Sequence, residues 1–383
     1  MHITDDIRYV GVNDHDLDLF EGLYPVPQGV SYNSYVILDE KIAVMDAVDA
    51  SFGGTWLTNV RNALKGRTPD FLIIQHMEPD HSASIALFMV AFPEAMIVAS
   101  QKSFPMMEAF FGTDYLHRRL IVKDGDMLSL GRHNLRFIAA PMVHWPEVIM
   151  TYDAADKVLF TADAFGKFGA LDIASDWADE ARRYYFGIVG KYGPQVQAVL
   201  KKLSSLEIAA LCPLHGYVLQ GKQKDEALRL YDIWSAYRAE TEGVMIAHAS
   251  VYGNTRAAAE TLAEHLESRG IPVVLYDLTR CDHAEALAAA FRYDRLVLAS
   301  ATYNAEVFPP MRSFIHSLTE RGYRNRKVGL IENGSWAPMA GKVMRTMLEG
   351  SKDVTLLEPL VSIRSALNED STAQLLTLAD ALV

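Results

Sequence analysis

From residue 243 onward the chain alternates short apolar runs with amphipathic stretches of helical length, and this rhythm restricts the fold more than any other feature of the sequence. The apolar runs fall at residues 244–247, 273–275, 296–299, 328–331 and 355–357. Helical patterns occupy 255–269, 284–291, 311–321 and 341–348 between them, and a last one covers 370–382. Parallel strands must be joined by crossovers of a dozen residues or more, most simply a helix. Five strands with interleaved helices therefore describe a doubly wound parallel sheet.

The earlier part of the chain has a different texture. β-rich runs at 34–38, 42–45, 95–98, 135–138 and 158–161 precede any regular alternation, and helical stretches appear at 56–64, 104–111 and 178–203. This pattern describes sheets covered by helices, an α/β layered domain. Residues 227–241 read as a connecting helix. The expected domains are 1–242 and 243–383, consistent with a length of 383 residues that exceeds one typical core.

With 36 basic and 48 acidic residues the formal net charge is −12, and no basic stripe marks either half, so nucleic acid is not an expected partner. The start of the chain is polar and acidic, and the longest apolar stretch, residues 83–92, is about half a membrane span. A cytoplasmic protein without membrane contact is expected. Cys212 and Cys281 are the only cysteines, too few for a cysteine-only iron site or an iron–sulfur cluster, and they read as two buried reduced thiols.

The chemistry concentrates after the apolar run 71–74, where His76, Glu78, Asp80 and His81 follow within six residues. At offsets 0, 2, 4 and 5 these side chains cannot share a helical face. Pro79 argues against a regular helix through them, so a loop at a strand's C-terminal end is expected. Two acids packed beside two imidazoles are most easily satisfied by a shared cation, and mixed nitrogen and oxygen donors suit zinc or iron better than calcium or magnesium. Further donors should stand at later strand ends: His144 after the run through Ile138, Asp163 after Leu159, and His215 after Cys212.

His76-x-Glu78-x-Asp80-His81 followed by His144, Asp163 and His215, in that order, resembles the metallo-β-lactamase-like domain of the flavodiiron proteins. The words His144-Trp-Pro-Glu147 and Thr161-Ala-Asp-Ala-Phe-Gly166 also fit, and the resemblance covers essentially the whole chain. It implies an N-terminal αββα sandwich followed by a flavodoxin-like doubly wound sheet of order 2-1-3-4-5. It also implies that His76, Glu78 and His144 hold one iron, that Asp80, His81 and His215 face a second, and that Asp163 bridges. Hydrolases of the same superfold typically carry histidine at the position of Glu78. An anionic, harder donor there favours iron over zinc. A zinc hydrolase fused to a flavodoxin-like module is the competing reading.

Ser250-Val251-Tyr252-Gly253-Asn254-Thr255 joins the first strand of the second domain to a helix and resembles the flavodoxin phosphate loop, with hydroxyls, a glycine and a helix N-terminus that suit a phosphate. Ser300-Ala301-Thr302-Tyr303-Asn304 and Asn333-Gly334-Ser335-Trp336 follow the third and fourth strands, and their aromatics could stack on an isoalloxazine ring. FMN is the implied cofactor, and the absence of Gly-x-Gly-x-x-Gly argues against NAD or FAD. Ala301 stands where family members more often have proline, and Glu21 where they often have histidine. The resemblance further implies reduction of O2 to water or NO to N2O. It implies a separate electron donor, a small rubredoxin or a deazaflavin, and a head-to-tail homodimer or dimer of dimers.

Overall fold

The computed structural model describes residues 3–383. Two compact units divide at Asp232/Ile233. This lies ahead of the 242/243 boundary expected from texture, because residues 233–242 are tied to the second sheet. The Trp234 indole donates to Glu240, the Tyr237 carbonyl accepts from Arg326, and Thr241 opens the first strand of that sheet.

In the first unit, strands Ile7–Tyr9, Tyr35–Ile37, Ala43–Met45, Phe71–Ile74, Met96–Ser100 and Arg119–Val122 form one six-stranded sheet in that order, and the last four run parallel. A second six-stranded sheet takes Met127–Ser129, Asn134–Ala139, Ile149–Asp153, Val158–Phe160, Ala210–Cys212 and Leu219–Gln220. The sheets face each other. Ile37, Met45, Ile73 and Val98 from one pack with Phe137, Ile149, Phe160 and Cys212 from the other in a continuous buried cluster. Helices Gly53–Leu64 and Ser103–Phe111 cover the first sheet, completing helix and sheet layers about one core.

Four local expectations change. Pro79 does not prevent a helix but opens one, Pro79–Ser82, at its first position, where its missing N–H costs nothing. The helical pattern 178–203 is broken into Trp177–Tyr184, a π-turn Tyr185–Val189, a tight turn Gly190–Tyr192 and Gly193–Leu203. Gly187 in the π-turn lets the Tyr24 ring close in to where a Cβ would stand 3.0 Å away, and Pro194 restarts the ladder. The helix expected at 227–241 instead runs Gly221–Ser235 and ends before Tyr237, whose φ is +56°. Cys212 and Cys281 are both free, but only Cys212 is fully buried.

In the second unit the strands are ordered Val273–Asp277, Thr241–Ala249, Tyr293–Tyr303, Arg326–Asn333, Val354–Leu356, all parallel, which is the 2-1-3-4-5 order. Val361–Ile363 extends the fifth position along Ile331–Asn333. Helices Asn254–Ser268 and Glu369–Ala381 bury Leu262, Leu266, Leu375 and Leu378 against one face. Helices His283–Arg292, Pro309–Glu320 and Ala340–Leu348 form the other layer. Among the described residues, no helix is long and apolar enough to cross a membrane.

Candidate metal and flavin sites

All seven metal-competent residues of the first unit converge at one edge of its sandwich. His76 and Glu78 come from the turn after Phe71–Ile74, and Asp80 and His81 from the one-turn helix that follows. His144 lies in the turn after Asn134–Ala139, Asp163 follows Val158–Phe160, and His215 follows Ala210–Cys212. Five of the seven are buried, with His76 and His81 0% exposed and Asp163 and His215 1%, whereas Glu78 and Asp80 keep 15% and 14% of their side chains exposed.

They form two groups that share one carboxylate. His76 Nε2 stands 3.2 Å from both Glu78 Oε2 and Asp163 Oδ2. His144 Nε2 is 3.1 Å from Glu78 Oε2 and 3.0 Å from Asp163 Oδ2. In the second group His81 Nε2 and His215 Nε2 are 3.0 Å apart, and each is 3.3 Å from Asp80 Oδ2. Here Asp163 presents its other oxygen, Oδ1, at 3.2 Å from His81. Donors held about 2.0–2.2 Å from one ion stand about 2.8–3.6 Å from each other, so both groups have spacings a transition metal would accept. Both oxygens of Asp80, Oδ1 of Asp163 and Nδ1 of His81 are buried without a hydrogen bond, a cost that a cation pair would relieve at the oxygens.

Electrostatics follow from the same packing. Burial opposes charge on His144, yet its contacts with Asp163 and Glu78 lift its pKa to about 9. Burial likewise opposes charge on His76, and Asp163, Glu147 and Glu78 still raise it. Glu78 and Asp163 resist their own desolvation and sit well below the carboxylate range because imidazoles face them. Protons and metal ions therefore compete for one set of lone pairs.

A surrounding layer fixes these ligands, and most of it was not singled out by sequence. Glu147 Oε1 accepts from His76 Nδ1 at 2.8 Å and from the Met77 amide at 2.9 Å. The Ser31 carbonyl accepts from His215 Nδ1 at 2.7 Å. Asp46, fully buried with φ +55°, accepts from the Gln75 amide at 2.7 Å and from the Gln75 side chain at 2.9 Å. Ser82 Oγ donates to the Met77 and Glu78 carbonyls. Only Glu147 carried a sequence signal, an acid inside the word that supplies His144. Phe20, Tyr32 and Tyr184 pack against the His215 ring and Trp145 against the His76 ring, which walls the cluster with aromatics. Burial, and then the Glu78 charge, push the pKa of Glu21 up to about 7.

A third histidine–carboxylate group, Asp6, His133 and Asp156, is of another kind. The Arg132 guanidinium already bonds Asp6 and Asp156 and supplies the positive charge there.

In the second unit a 480 Å³ cleft opens at the C-terminal ends of the strands. Ser250, Val251, Tyr252, Asn254, Thr255, Ala301, Thr302, Tyr303, Asn304, Asn333, Gly334, Ser335 and Trp336 line it. Two expected residues do not. Gly253 instead turns the loop, with φ +96° and its amide bonded to Ser250 Oγ at 3.0 Å. Ser300 is buried beneath, where its hydroxyl donates to the Ala301 carbonyl. Ala305, Ala337 and Ser365 line the cleft without having been anticipated. Ser365 and Asn333 exchange two hydrogen bonds, at 2.8 and 3.1 Å, that tie two of its loops together. Tyr252 is 94% and Trp336 88% exposed, which leaves flat apolar faces beside the start of helix Asn254–Ser268. An aromatic, phosphorylated ligand of mononucleotide size fits this chemistry.

Comparison with known proteins agrees with both halves. Residues 30–216 match the family described as ODP family beta lactamase, and residues 245–353 match a flavodoxin domain. The nitric oxide reductase of Moorella thermoacetica is 27% identical over 369 residues, 93% of this chain and 91% of that protein. The rubredoxin-oxygen oxidoreductase of Megalodesulfovibrio gigas is 28% identical over 359 residues, 91% and 89% of the two chains. The solved structure of the rubredoxin oxygen:oxidoreductase from Desulfovibrio gigas superimposes with a TM-score of 0.91 at 27% identity, covering 99% of this chain and 96% of that one. The flavodiiron protein of Giardia intestinalis shares the fold at a TM-score of 0.89. A sandwich with a seven-residue His/Asp/Glu cluster, joined to a 2-1-3-4-5 sheet with an open aromatic cleft, places this chain among the flavodiiron proteins.

Proposed function

We propose that this chain is an oxidoreductase that accepts electrons through FMN in its second unit and delivers them to two iron ions in its first, reducing O2 to water, NO to N2O, or both. The observation that carries this reading is the division of Asp163, one oxygen facing each group of donors. His76, Glu78 and His144 would hold one iron, Asp80, His81 and His215 would hold the other, and Asp163 would serve both. The donor set fits this assignment, since each group offers two imidazoles and an anionic oxygen, a mixture suited to iron that changes valence. Glu78 in place of a third imidazole weighs against a zinc hydrolase.

When bound, iron and FMN supply the electron transfer: two electrons from each make the four that turn O2 into two waters, whereas two convert a pair of NO molecules into N2O and water. The remaining work belongs to side chains. Hydrogen bonds from Nδ1 of His76 to Glu147 and of His215 to Ser31 leave Nε2 of each ring as the lone-pair donor. The rings of Phe20, Tyr184 and Trp145 pack against the ligand imidazoles and help to exclude bulk water. Glu21, on an exposed turn facing Glu78, is a side chain placed to pass protons, which both reductions consume.

The names of the relatives include rubredoxin and flavorubredoxin, and a rubredoxin is the donor this reading assigns, with a deazaflavin as the second choice. A head-to-tail homodimer or dimer of dimers in the cytoplasm would let the flavin of one copy serve the iron pair of another, with each such junction formed twice by symmetry. The test is metal and flavin analysis of anaerobically purified protein, followed by O2- and NO-electrode assays with a rubredoxin and its reductase. Two irons and one FMN per chain with uptake of either gas is the expected result. Zinc in place of iron, or uptake of neither gas, defeats the proposal.

A further inference from the structure

The two metal positions are matched in their direct donors and mismatched in what stands behind them. Each position has two imidazoles and one carboxylate of its own, and the two share Asp163. With the direct donors matched in kind, the hydrogen bonds behind the imidazoles are what set the two positions apart. There, His76 Nδ1 donates to Glu147 Oε1 at 2.8 Å, and both side chains are 0% exposed. Apart from the Met77 amide, Glu147 has no other hydrogen-bond partner, since its Oε2 is buried and unbonded. Its charge is therefore compensated chiefly through the imidazole. Behind the other position, His215 Nδ1 donates to a neutral carbonyl, Ser31 O, at 2.7 Å, and His81 Nδ1 has no partner.

We infer that Glu147 is a positioning residue that makes the two irons unequal, so that the iron on His76, Glu78 and His144 is the easier one to oxidise. A buried carboxylate pulling on the Nδ1 proton raises the electron donation of Nε2, and a stronger donor favours the more highly charged ion. A carbonyl does this weakly and an unpartnered nitrogen not at all. On stepwise oxidation of the diferrous pair by ferricyanide, each step moving one electron from iron to oxidant, the first electron leaves the Glu147 side. This inference rests on the diiron reading above.

The test compares wild-type protein with Glu147→Gln, which keeps an acceptor oxygen but removes the charge. Both proteins are checked for two irons per chain and titrated with ferricyanide under Mössbauer and EPR detection. In the wild type, well over half of the pairs should hold one ferric ion at the midpoint. In Glu147→Gln this yield should fall towards the half expected of two equal, independent sites, as the first potential rises more than the second. Potentials that are unchanged, or that shift together, overturn the inference. If the variant does not fold, 15N-histidine spectra of the zinc-loaded wild type decide the matter. A His76 Nδ1 proton further downfield than that of His215 supports it, and equal shifts overturn it. Wild-type protein that binds no iron overturns both this inference and the functional reading, whereas two bound irons with matched potentials overturn this inference alone.

Discussion

The metal cluster and the flavin cleft reach similar positions, the C-terminal ends of strands, by opposite means. The cluster gathers seven polar side chains into a nearly dry interior, and every ligand is held by a strand end, a turn or a further hydrogen bond. The cleft is built from backbone turns and small hydroxyls, and its largest side chains, Tyr252 and Trp336, stand in solvent. The contrast reflects what each site must bind. Bare cations need charge brought out of water, at a desolvation cost only a rigid frame sustains. A flat cofactor with its own phosphate needs a surface to lie on and a helix end to face.

Substitution should separate the two sites cleanly. Asp163→Ala removes the one carboxylate common to both donor groups, so iron content should fall from two per chain to near zero and gas uptake by about 100-fold or more, with FMN content unchanged. Metal analysis beside flavin absorbance checks this, and loss of both cofactors together would break the contrast. A smaller effect should come from pH. His144, raised to about 9 in the metal-free protein, and the similarly raised His76 and His81 must shed protons before ligating. Iron or cobalt affinity of metal-stripped protein should therefore climb as pH rises from 6 to 9 and level off above, whereas FMN affinity should vary little over that range. Competition titrations at fixed ionic strength measure both. The smallest effect is expected at Trp336→Ala. Losing one exposed stacking face is worth about 0.5–1.5 kcal/mol, or roughly three- to tenfold in FMN affinity, with iron content untouched. Flavin fluorescence titration would show it.

The same contrast explains what could be read from the sequence. Charges in a buried site are too costly to be accidental, so His76 to His81 with His144, Asp163 and His215 stood out in the bare sequence. The alternation after residue 243 made the second sheet legible as parallel and doubly wound because each crossover helix has a period of its own, whereas its strand order came with the likeness to flavodoxin. Other features left no pattern. Strands of two or three residues, such as Leu19–Phe20, Tyr24–Pro25 and Leu219–Gln220, are too short for alternation to register. The break at Tyr185–Val189 arises from the tertiary contact of Tyr24 with Gly187, which no local propensity encodes. Ser31 acts through its carbonyl, which every residue has, and Asp46 works from a strand end 30 positions before His76. In the cleft, Ser365 was missed because it belongs to the loop after a three-residue strand.

The hydrogen bonds that hold the ligand turn bear on how such a protein is supplied. Asp46 grips the Gln75 amide, Ser82 the Met77 and Glu78 carbonyls, and Glu147 the Met77 amide, so this segment is fastened by the polypeptide itself. Metal is thus not the sole clamp on the turn. Chelator-stripped protein is accordingly expected to keep the turn and to take up metal again without refolding, which hydrogen exchange of the Gln75 and Met77 amides before and after chelation checks.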